Sequence, residues 1–470
     1  MSHRARSRRF VRVGSLILML TAWATCAVAQ DAQTASSGDD SSYADACPDP
    51  LTRDWGPRSD LEKVGITACL NYIGEVLGNP TGGVRRSAVY EGRLEMALNL
   101  DLEKLVGWSG ATVHVNAYQI HGRGLSTNDL RGNILTVSNI EAERTTRLFD
   151  LWLQQELWHD LVSVRIGQLA VDDEFITSEY GSLFVNSTFG WPAIAAANLP
   201  SGGPAYPLST PGVRIKIQPT DRLSVSAAVF NGDPAGRGAS TPQSRDGSGT
   251  AFRLSDGAFV IAEAAYALNQ EKDATGLPGT YKLGGWYHSG RFADQRFDGA
   301  GLSLANPGSS GVPAQHRGDF GLYAAADQMV WLVPGSKDAG LGIFLRLAGS
   351  PSDRNLVDFY ADGGFNYKGL LPDRGDDVLG LGIAYARISD AASSLDRGVG
   401  FFGGMSRPVR DYEMALELTY RAQVTPWWTV QPDLQLILHP GGHVPDPTDP
   451  TGLRPIRDAL ILGVRTALAF

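Results

Sequence analysis

The chain has 470 residues, 50 acidic side chains against 41 basic ones, and a net charge of −9. This acidic balance excludes a protein built to bind nucleic acid, because phosphate recognition requires a basic surface. Beyond the N-terminal segment, no apolar run reaches the length of about 18 residues that a membrane-spanning helix needs. Two classes remain: a soluble protein, or a closed β-barrel, which also satisfies its backbone hydrogen bonds within lipid.

The N-terminal segment has the pattern of an export signal. Five arginines precede an apolar run over 16–28 that ends in small residues. This predicts a signal peptide over 1–29 with cleavage before Gln30. Its loss would remove five arginines and no acidic residue, which changes the net charge from −9 to −14. The segment 30–60 is rich in Asp, Ser, Ala and Pro, has no core-building pattern, and is predicted to be a periplasmic tail.

The cysteines indicate the compartment of the mature chain. Cys26 would leave with the signal peptide, whereas Cys47 and Cys69 would reach the oxidising periplasm. A disulfide between these two is therefore predicted, with two free thiols as the alternative. No CxxC or HExxH motif and no Cys/His cluster typical of zinc proteins is evident, so we expect neither a metal centre nor another cofactor.

Alternation with a period of two residues predicts sixteen strands. The pattern is sharpest at 413–424, where Leu416 and Leu418 alternate with Glu417 and other polar residues. Charges on every second residue mean that one face stays hydrated while the other is apolar. The predicted strands are 64–77, 87–100, 110–120, 147–158, 161–170, 211–218, 222–230, 257–267, 280–290, 319–331, 340–348, 356–367, 377–388, 413–424, 428–439 and 459–470.

The connections between these strands alternate in length. Short turns include 159–160 and 219–221, and the long loops include 121–146, 171–210, 389–412 and 440–458. An even strand count with short turns on one rim and long loops on the other is typical of outer-membrane barrels, and about sixteen strands can enclose an aqueous channel. We therefore predict an all-β, transmembrane antiparallel β-barrel over 61–470, with short turns on one rim and long extracellular loops on the other.

A soluble β-sandwich is the alternative fold, because its strands also alternate. Two features oppose it. Several predicted strands reach ten to twelve residues, which is long for a sandwich. The chain also ends in Phe470 at the close of an alternating apolar face, as barrel assembly signals do.

Several short stretches add a family resemblance. In chain order they include Asn79-Pro80-Thr81-Gly82-Gly83, Val164-Arg165-Ile166-Gly167-Gln168, Val185-Asn186-Ser187-Thr188-Phe189-Gly190, Phe230-Asn231-Gly232-Asp233-Pro234 and His439-Pro440-Gly441-Gly442. With these stretches the chain resembles the OprB-type carbohydrate-selective porins from about residue 60 to the end. The resemblance implies an outer-membrane channel for passive diffusion of monosaccharides such as glucose, without catalysis or cofactor. It also implies that long extracellular loops fold into the lumen and narrow it. A general small-solute porin and a secreted sugar-binding β-protein are the alternatives.

The resemblance also implies the partners. These are small neutral sugars in the channel, and outer-membrane lipid with lipopolysaccharide around the barrel. Nucleic acid is not among them, and the barrel would be a monomer or a homotrimer.

Two long loops carry side chains suited to sugars, which offer hydroxyls to charged groups and C–H surfaces to aromatic rings. The candidate constriction residues are Arg123, Arg131, Asp172, Asp173, Glu174, Phe175 and Trp191. Their opposite charges are predicted to face each other across the narrowest point. Ordinary solvated loop charges, or calcium bound by the carboxylates, are the alternatives. His114, at an inward strand position, is predicted to be a hydrogen-bonded lumen residue rather than a base.

Overall fold

The computed structural model describes residues 50–52, 55–271, 274–336 and 338–470. The predicted barrel is confirmed: the strands close into an antiparallel ring in which sequence neighbours pair and β1 pairs with β16. The sixteen strands are β1 (Ile66–Gly83), β2 (Ala88–Asp101), β3 (Ala111–Gly122), β4 (Thr145–Leu157), β5 (Val162–Leu169), β6 (Thr210–Thr220), β7 (Leu223–Asn231), β8 (Ala258–Leu268), β9 (Gly279–Asp298), β10 (Pro313–Leu332), β11 (Gly340–Gly349), β12 (Val357–Lys368), β13 (Val378–Ile388), β14 (Tyr412–Thr425), β15 (Trp428–Leu438) and β16 (Arg457–Ala469).

The wall has polar residues buried on its inner face and apolar residues exposed on its outer face. Leu418 and Leu434, paired across β14 and β15, leave 44% and 39% of their surface exposed. Their neighbours on the same two strands, Glu417 and Gln435, also pair with each other and are fully buried. This inversion of the usual arrangement places lipid outside the wall and a polar, protein-filled lumen inside it.

Helices are short and lie in the connections. They are α1 (Gly56–Lys63), α2 (Leu102–Val106), α3 (Ala193–Asn198), α4 (Pro242–Arg245) and α5 (Asp390–Gly403), with single helical turns at Ser126–Leu130, Tyr180–Leu183, Ser187–Phe189, Pro200–Gly202 and Pro440–His443. No helix in the described ranges is long and apolar enough to cross a membrane.

The segment 389–412, predicted to be a loop, contains the 14-residue helix α5. The side chain of Ser389 caps its start by accepting a hydrogen bond from the backbone N–H of Ala392. Gly404, with a φ of 63°, ends it in the left-handed conformation that glycine adopts readily. The capping residues were visible in the sequence, but the prediction followed strand periodicity and passed over them.

The hairpin of β9 and β10 is much longer than predicted. Each strand has 20 residues, whereas the predicted strands were 280–290 and 319–331. The pairing register shifts between Arg317 and Asp319, around Gly318 with a φ of 79°. Such a bulge breaks the period-two alternation, so the pattern ended there although the strand continues. Because about 9–11 residues suffice to cross the membrane, the hairpin extends beyond the barrel rim.

Two long connections fold into the barrel, as predicted. We call 123–144, between β3 and β4, the first inward loop, and 170–209, between β5 and β6, the second inward loop. Both contribute fully buried apolar side chains to a core inside the barrel. In the second inward loop, the ring centroids of Phe184 and Phe189 are 4.5 Å apart, and Phe184 lies 5.6 Å from Phe344 of the wall.

The N-terminal predictions are only partly within the described residues. The predicted signal peptide over 1–29 and most of the predicted tail over 30–60 lie outside them. Helix α1 spans the predicted boundary between tail and barrel. Cys69 on β1 is disulfide-bonded. Because Cys47 lies outside the described residues, its pairing with Cys69 stays a prediction.

Candidate functional site

Buried carboxylates of the wall hold both inward loops by their backbones. Glu413 accepts hydrogen bonds of 2.7 and 2.8 Å from the N–H groups of 134–135 in the first inward loop. Glu417, four residues further along β14, accepts bonds of 2.6 and 2.9 Å from the N–H groups of 185–186 in the second inward loop. A buried carboxylate needs such donors, since burial without partners is costly. The two loops are therefore anchored to the same strand.

Arg346 on β11 also anchors the second inward loop, but it donates to backbone oxygens, whereas the carboxylates accept from backbone N–H groups. Its guanidinium, 1% exposed, forms an ion pair with Asp362 of β12. It also donates to the backbone oxygen of Ile176 at 2.7 Å and to those of 188–190 at 2.7 to 2.9 Å. One side chain thus closes two distant parts of the loop onto the wall, and the path of the loop through the lumen is fixed.

Glu174 of the second inward loop meets two arginines of the wall. It forms an ion pair with Arg165 of β5 and lies 2.8 Å from the Nε of Arg214 of β6. Both arginines also donate to Oε1 of Gln154, at 2.6 to 2.9 Å. The Arg165 guanidinium lies 4.0 Å from the ring centre of Trp152, in cation–π geometry. The cluster therefore combines fixed cations, a carboxylate and an aromatic ring.

The two aspartates that precede Glu174 differ in their surroundings. Asp172 accepts a hydrogen bond of 3.0 Å from the backbone N–H of Tyr206, whereas Asp173 is exposed on the lumen side. Desolvation inside the barrel raises the pKa of Asp172 to about 6. Although its side chain reaches the lumen, Asp173 is surrounded by the barrel, and this desolvation, followed by the charge of Asp172, raises its pKa to about 7. Near neutral pH, Asp173 can therefore act as donor or acceptor.

A small cavity opens beside these groups, and its lining residues come from both wall and loop. They are Trp152, Arg165, Leu169, Ala170, Asp173, Glu174, Phe175, Arg214 and Phe230. Three of the predicted constriction residues, Asp173, Glu174 and Phe175, are brought together here. Phe175 is itself 2% exposed and packs in the apolar core.

The other predicted constriction residues lie apart from this cluster. Arg123 is paired with Asp129 of its own loop at 3.0 Å rather than with the acidic stretch. Arg131 is exposed and donates from Nε to the backbone oxygen of Asn128 at 3.2 Å. Trp191 is 9% exposed and donates from Nε1 to the backbone oxygen of Gly202 at 2.9 Å. A role for these three in the constriction stays a prediction.

Arg165 and Arg214 were missed as site residues, although the sequence contains a usable signal. Each arginine stands between two apolar residues of a strand, Val164 and Ile166 in the case of Arg165. Where alternate residues must face lipid, an arginine between them must face the lumen. An inward arginine on a membrane strand is a stronger candidate than a charge on a loop.

Two further sequence interpretations can be compared with the structure. His114 faces inward and is hydrogen-bonded, with Nδ1 at 2.6 Å from Oδ1 of Asn99 and its ring stacked on Trp152, which confirms the prediction. The calcium alternative finds no support in the described residues. Only Asp411, His439 and His443 bring three potential ligand atoms within 4.8 Å of one another there.

Comparison with known proteins shows which family shares this architecture. A family model described as "Carbohydrate-selective porin, OprB family" matches residues 85–470. Porin B of Pseudomonas aeruginosa is 28% identical over 437 residues, which cover 89% of this chain and 90% of that protein. A putative porin, QuiX, of Acinetobacter baylyi is 23% identical and covers 89% of this chain and 93% of its own. The high-pH structure of Pseudomonas putida OprB superposes with a TM-score of 0.79 at 26% identity, covering 89% of this chain and 98% of that one.

Proposed function

Because the chain belongs to the OprB family of carbohydrate-selective porins, we propose that its lumen passes monosaccharides such as glucose, and that Arg165, Glu174 and Arg214 form the selective contact. The protein is an outer-membrane channel and not an enzyme. The observation that carries the proposal is the carboxylate of an inward loop set between two wall arginines, beside the ring of Trp152.

The chemistry of this cluster suits a neutral sugar. Guanidinium groups donate to hydroxyl oxygens, a carboxylate accepts from hydroxyl hydrogens, and an aromatic face packs against sugar C–H groups. The arginines are 2–3% exposed and are held by Gln154, so they chiefly fix the position and charge of Glu174, which is 19% exposed and is the member of the cluster that a sugar reaches most readily. Contacts at such a site are few, and weak binding permits exit as well as entry.

Asp172 and Asp173 belong to the proposed contact because they extend the acidic edge beside Glu174. Arg123 and Arg131, which are exposed, would meet the solute on its approach, whereas Trp191, which is 9% exposed, would contribute by packing the second inward loop. Outer-membrane lipid with lipopolysaccharide would surround the exposed apolar wall, and the barrel would act as a monomer or homotrimer. Cleavage before Gln30 would release the mature chain, whose segment 30–60 would stay in the periplasm.

The test replaces the acidic stretch with neutral amides: Asp172→Asn, Asp173→Asn and Glu174→Gln together. The barrel should fold, because Gln retains an oxygen that can accept from the wall arginines. Glucose-driven swelling of proteoliposomes should slow, and the reversal potential in a salt gradient should shift toward anions, since the lumen loses negative charge.

A matched control makes the same charge change in exposed turns of the opposite rim. The control substitutions are Asp160→Asn, Asp373→Asn and Asp376→Asn. The control should keep wild-type swelling and reversal potential. Wild-type values in the folded amide variant would remove the acidic stretch from the constriction. If the wild type passes hexoses and zwitterions of equal size at equal rates, the monosaccharide preference itself is wrong.

A further inference from the structure

Three side chains with metal-binding atoms meet at the rim that carries the long loops, outside the lumen cluster. Asp411 immediately precedes β14, His439 immediately follows β15, and His443 ends the turn after it. Nδ1 of His439 lies 3.0 Å from Oδ1 of Asp411, and Nδ1 of His443 lies 3.6 Å from Oδ2. In a tetrahedral zinc site with bonds of about 2.0–2.1 Å, neighbouring ligand atoms are about 3.3 Å apart. The two N–O distances, each to a different oxygen of Asp411, lie on either side of that value, and one ligand atom from each of the three residues lies within 4.8 Å of the others.

The turn that presents the two histidines has an unusual backbone. His439 and His443 have φ values of 51° and 78°, a left-handed conformation that residues with a side chain rarely adopt. Their imidazole rings are stacked with centroids 3.8 Å apart and planes at 14°. This stacking directs both Nδ1 atoms to the same carboxylate. Unfavourable backbone conformations of this kind persist where the surroundings hold them, and they are frequent at ligand sites.

Backbone hydrogen bonds fix the turn to the carboxylate. The N–H of Gly442 donates to the oxygen of His439 at 2.7 Å, and the N–H of Asp411 donates to the oxygen of Gly442 at 3.0 Å. The ring of Tyr412 lies 4.4 Å from that of His439 and packs against it. The three ligands are thus pre-organised by one short turn that follows β15 in the chain and is hydrogen-bonded to the residue before β14.

We propose that Asp411, His439 and His443 bind one Zn²⁺ ion, or a similar borderline divalent transition-metal ion, from the external medium. Two imidazoles and one carboxylate are ligands that such ions prefer, whereas Ca²⁺ and Mg²⁺ prefer sites made of oxygen alone. The side chains are 43%, 22% and 34% exposed, so solvent can reach the ion and complete its coordination.

The site is connected to the lumen through Glu413. The N–H of Gly441, inside the histidine turn, donates to Oε2 of Glu413 at 2.6 Å. The same carboxylate holds 134–135 of the first inward loop. An ion that fixes the turn therefore also fixes the carboxylate that anchors this loop. Bound metal should slow hydrogen exchange in the first inward loop and leave the distant hairpin of β9 and β10 unchanged.

The experiment uses the folded full chain without a polyhistidine tag, in detergent, after removal of metal by a chelator. Titration with Zn²⁺ by calorimetry should give one site with micromolar or tighter affinity, and Co²⁺ should give the visible absorption of a nitrogen- and oxygen-ligated ion. His443→Asn and Asp411→Asn should each weaken Zn²⁺ binding about tenfold or more, since loss of a ligand costs at least as much as loss of its supporting partner. Asn suits the left-handed φ of His443.

His316 supplies the matched control. It also contacts two carboxylates, with Nε2 at 2.8 Å from Asp294 and Nδ1 at 3.8 Å from Asp353. These contacts use opposite edges of the ring, so they cannot converge on one ion, and His316→Asn should bind Zn²⁺ as the wild type does. The proposal is overturned if folded wild type binds no Zn²⁺ in the micromolar range, or if His443→Asn binds as tightly as His316→Asn.

Discussion

Replacing Arg346 with Met should detach the second inward loop while the barrel remains closed. Arg346 donates to the loop oxygens of Ile176 and 188–190 and is 1% exposed, so none of these bonds is weakened by solvent. Hydrogen bonds to a charged group contribute about 1.5–3 kcal/mol each, and breaking a buried ion pair costs about 3–5 kcal/mol. Glu417 still holds 185–186, so we expect the loss to stay within the range for a broken buried ion pair, about 4 kcal/mol.

A loss of about 4 kcal/mol raises the population of the detached loop about a thousandfold. Hydrogen exchange followed by mass spectrometry should therefore show faster exchange at 176–190 in Arg346→Met. Single-channel conductance should rise, because a segment that fills the lumen leaves it part of the time. Heat-modifiable mobility should still report a folded barrel, since the sixteen-strand ring is intact.

Two companion variants separate the loop anchor from the ion pair. Arg387→Met removes a pair of similar geometry, 2.8 Å from Asp358, but its side chain is 48% exposed and we expect at most about 1 kcal/mol. Arg346→Met with Asp362→Leu removes the uncompensated carboxylate, so the barrel should regain stability while loop exchange stays fast. Wild-type exchange at 176–190 in Arg346→Met would refute the anchoring role of this arginine.

Three other predictions concern charge, assembly and the disulfide. The pKa values of Asp172 and Asp173 are raised to about 6 and 7, so both side chains ionise when the pH rises from 5 to 8. Cation preference, measured from reversal potentials, should therefore rise over this pH range. Asn at both positions should make the cation preference less dependent on pH. Deleting Phe470, whose N–H donates to the oxygen of Leu70 at 2.9 Å, should lower the yield of folded barrel, and unchanged heat-modifiable mobility would contradict this. Peptide mass spectrometry without reduction should find Cys47 linked to Cys69, and free thiols would end that prediction.

Much of the barrel was predictable because strand geometry is local. Successive side chains of a strand point to opposite faces, so alternation at 413–424 was enough to place Glu417 inward and Leu418 outward. Strand count and loop lengths followed from the same pattern. The prediction failed where a local rule was interrupted, at the bulge near Gly318 and at the capped helix α5.

The contacts of the site were decided by the tertiary structure, because they join residues far apart in the chain. Glu413 meets 134–135 across 278 to 279 positions, and Glu174 finds Arg214 40 residues away. The loop charges in the sequence indicated the acidic stretch, whose role in the constriction stays a prediction, but not the wall arginines that Glu174 meets. The spacing of His439 and His443 could likewise be read from the sequence, but the carboxylate that they share, that of Asp411, lies before a different strand, β14. Alternation determines which way a side chain points, and only closure of the barrel determines what it meets.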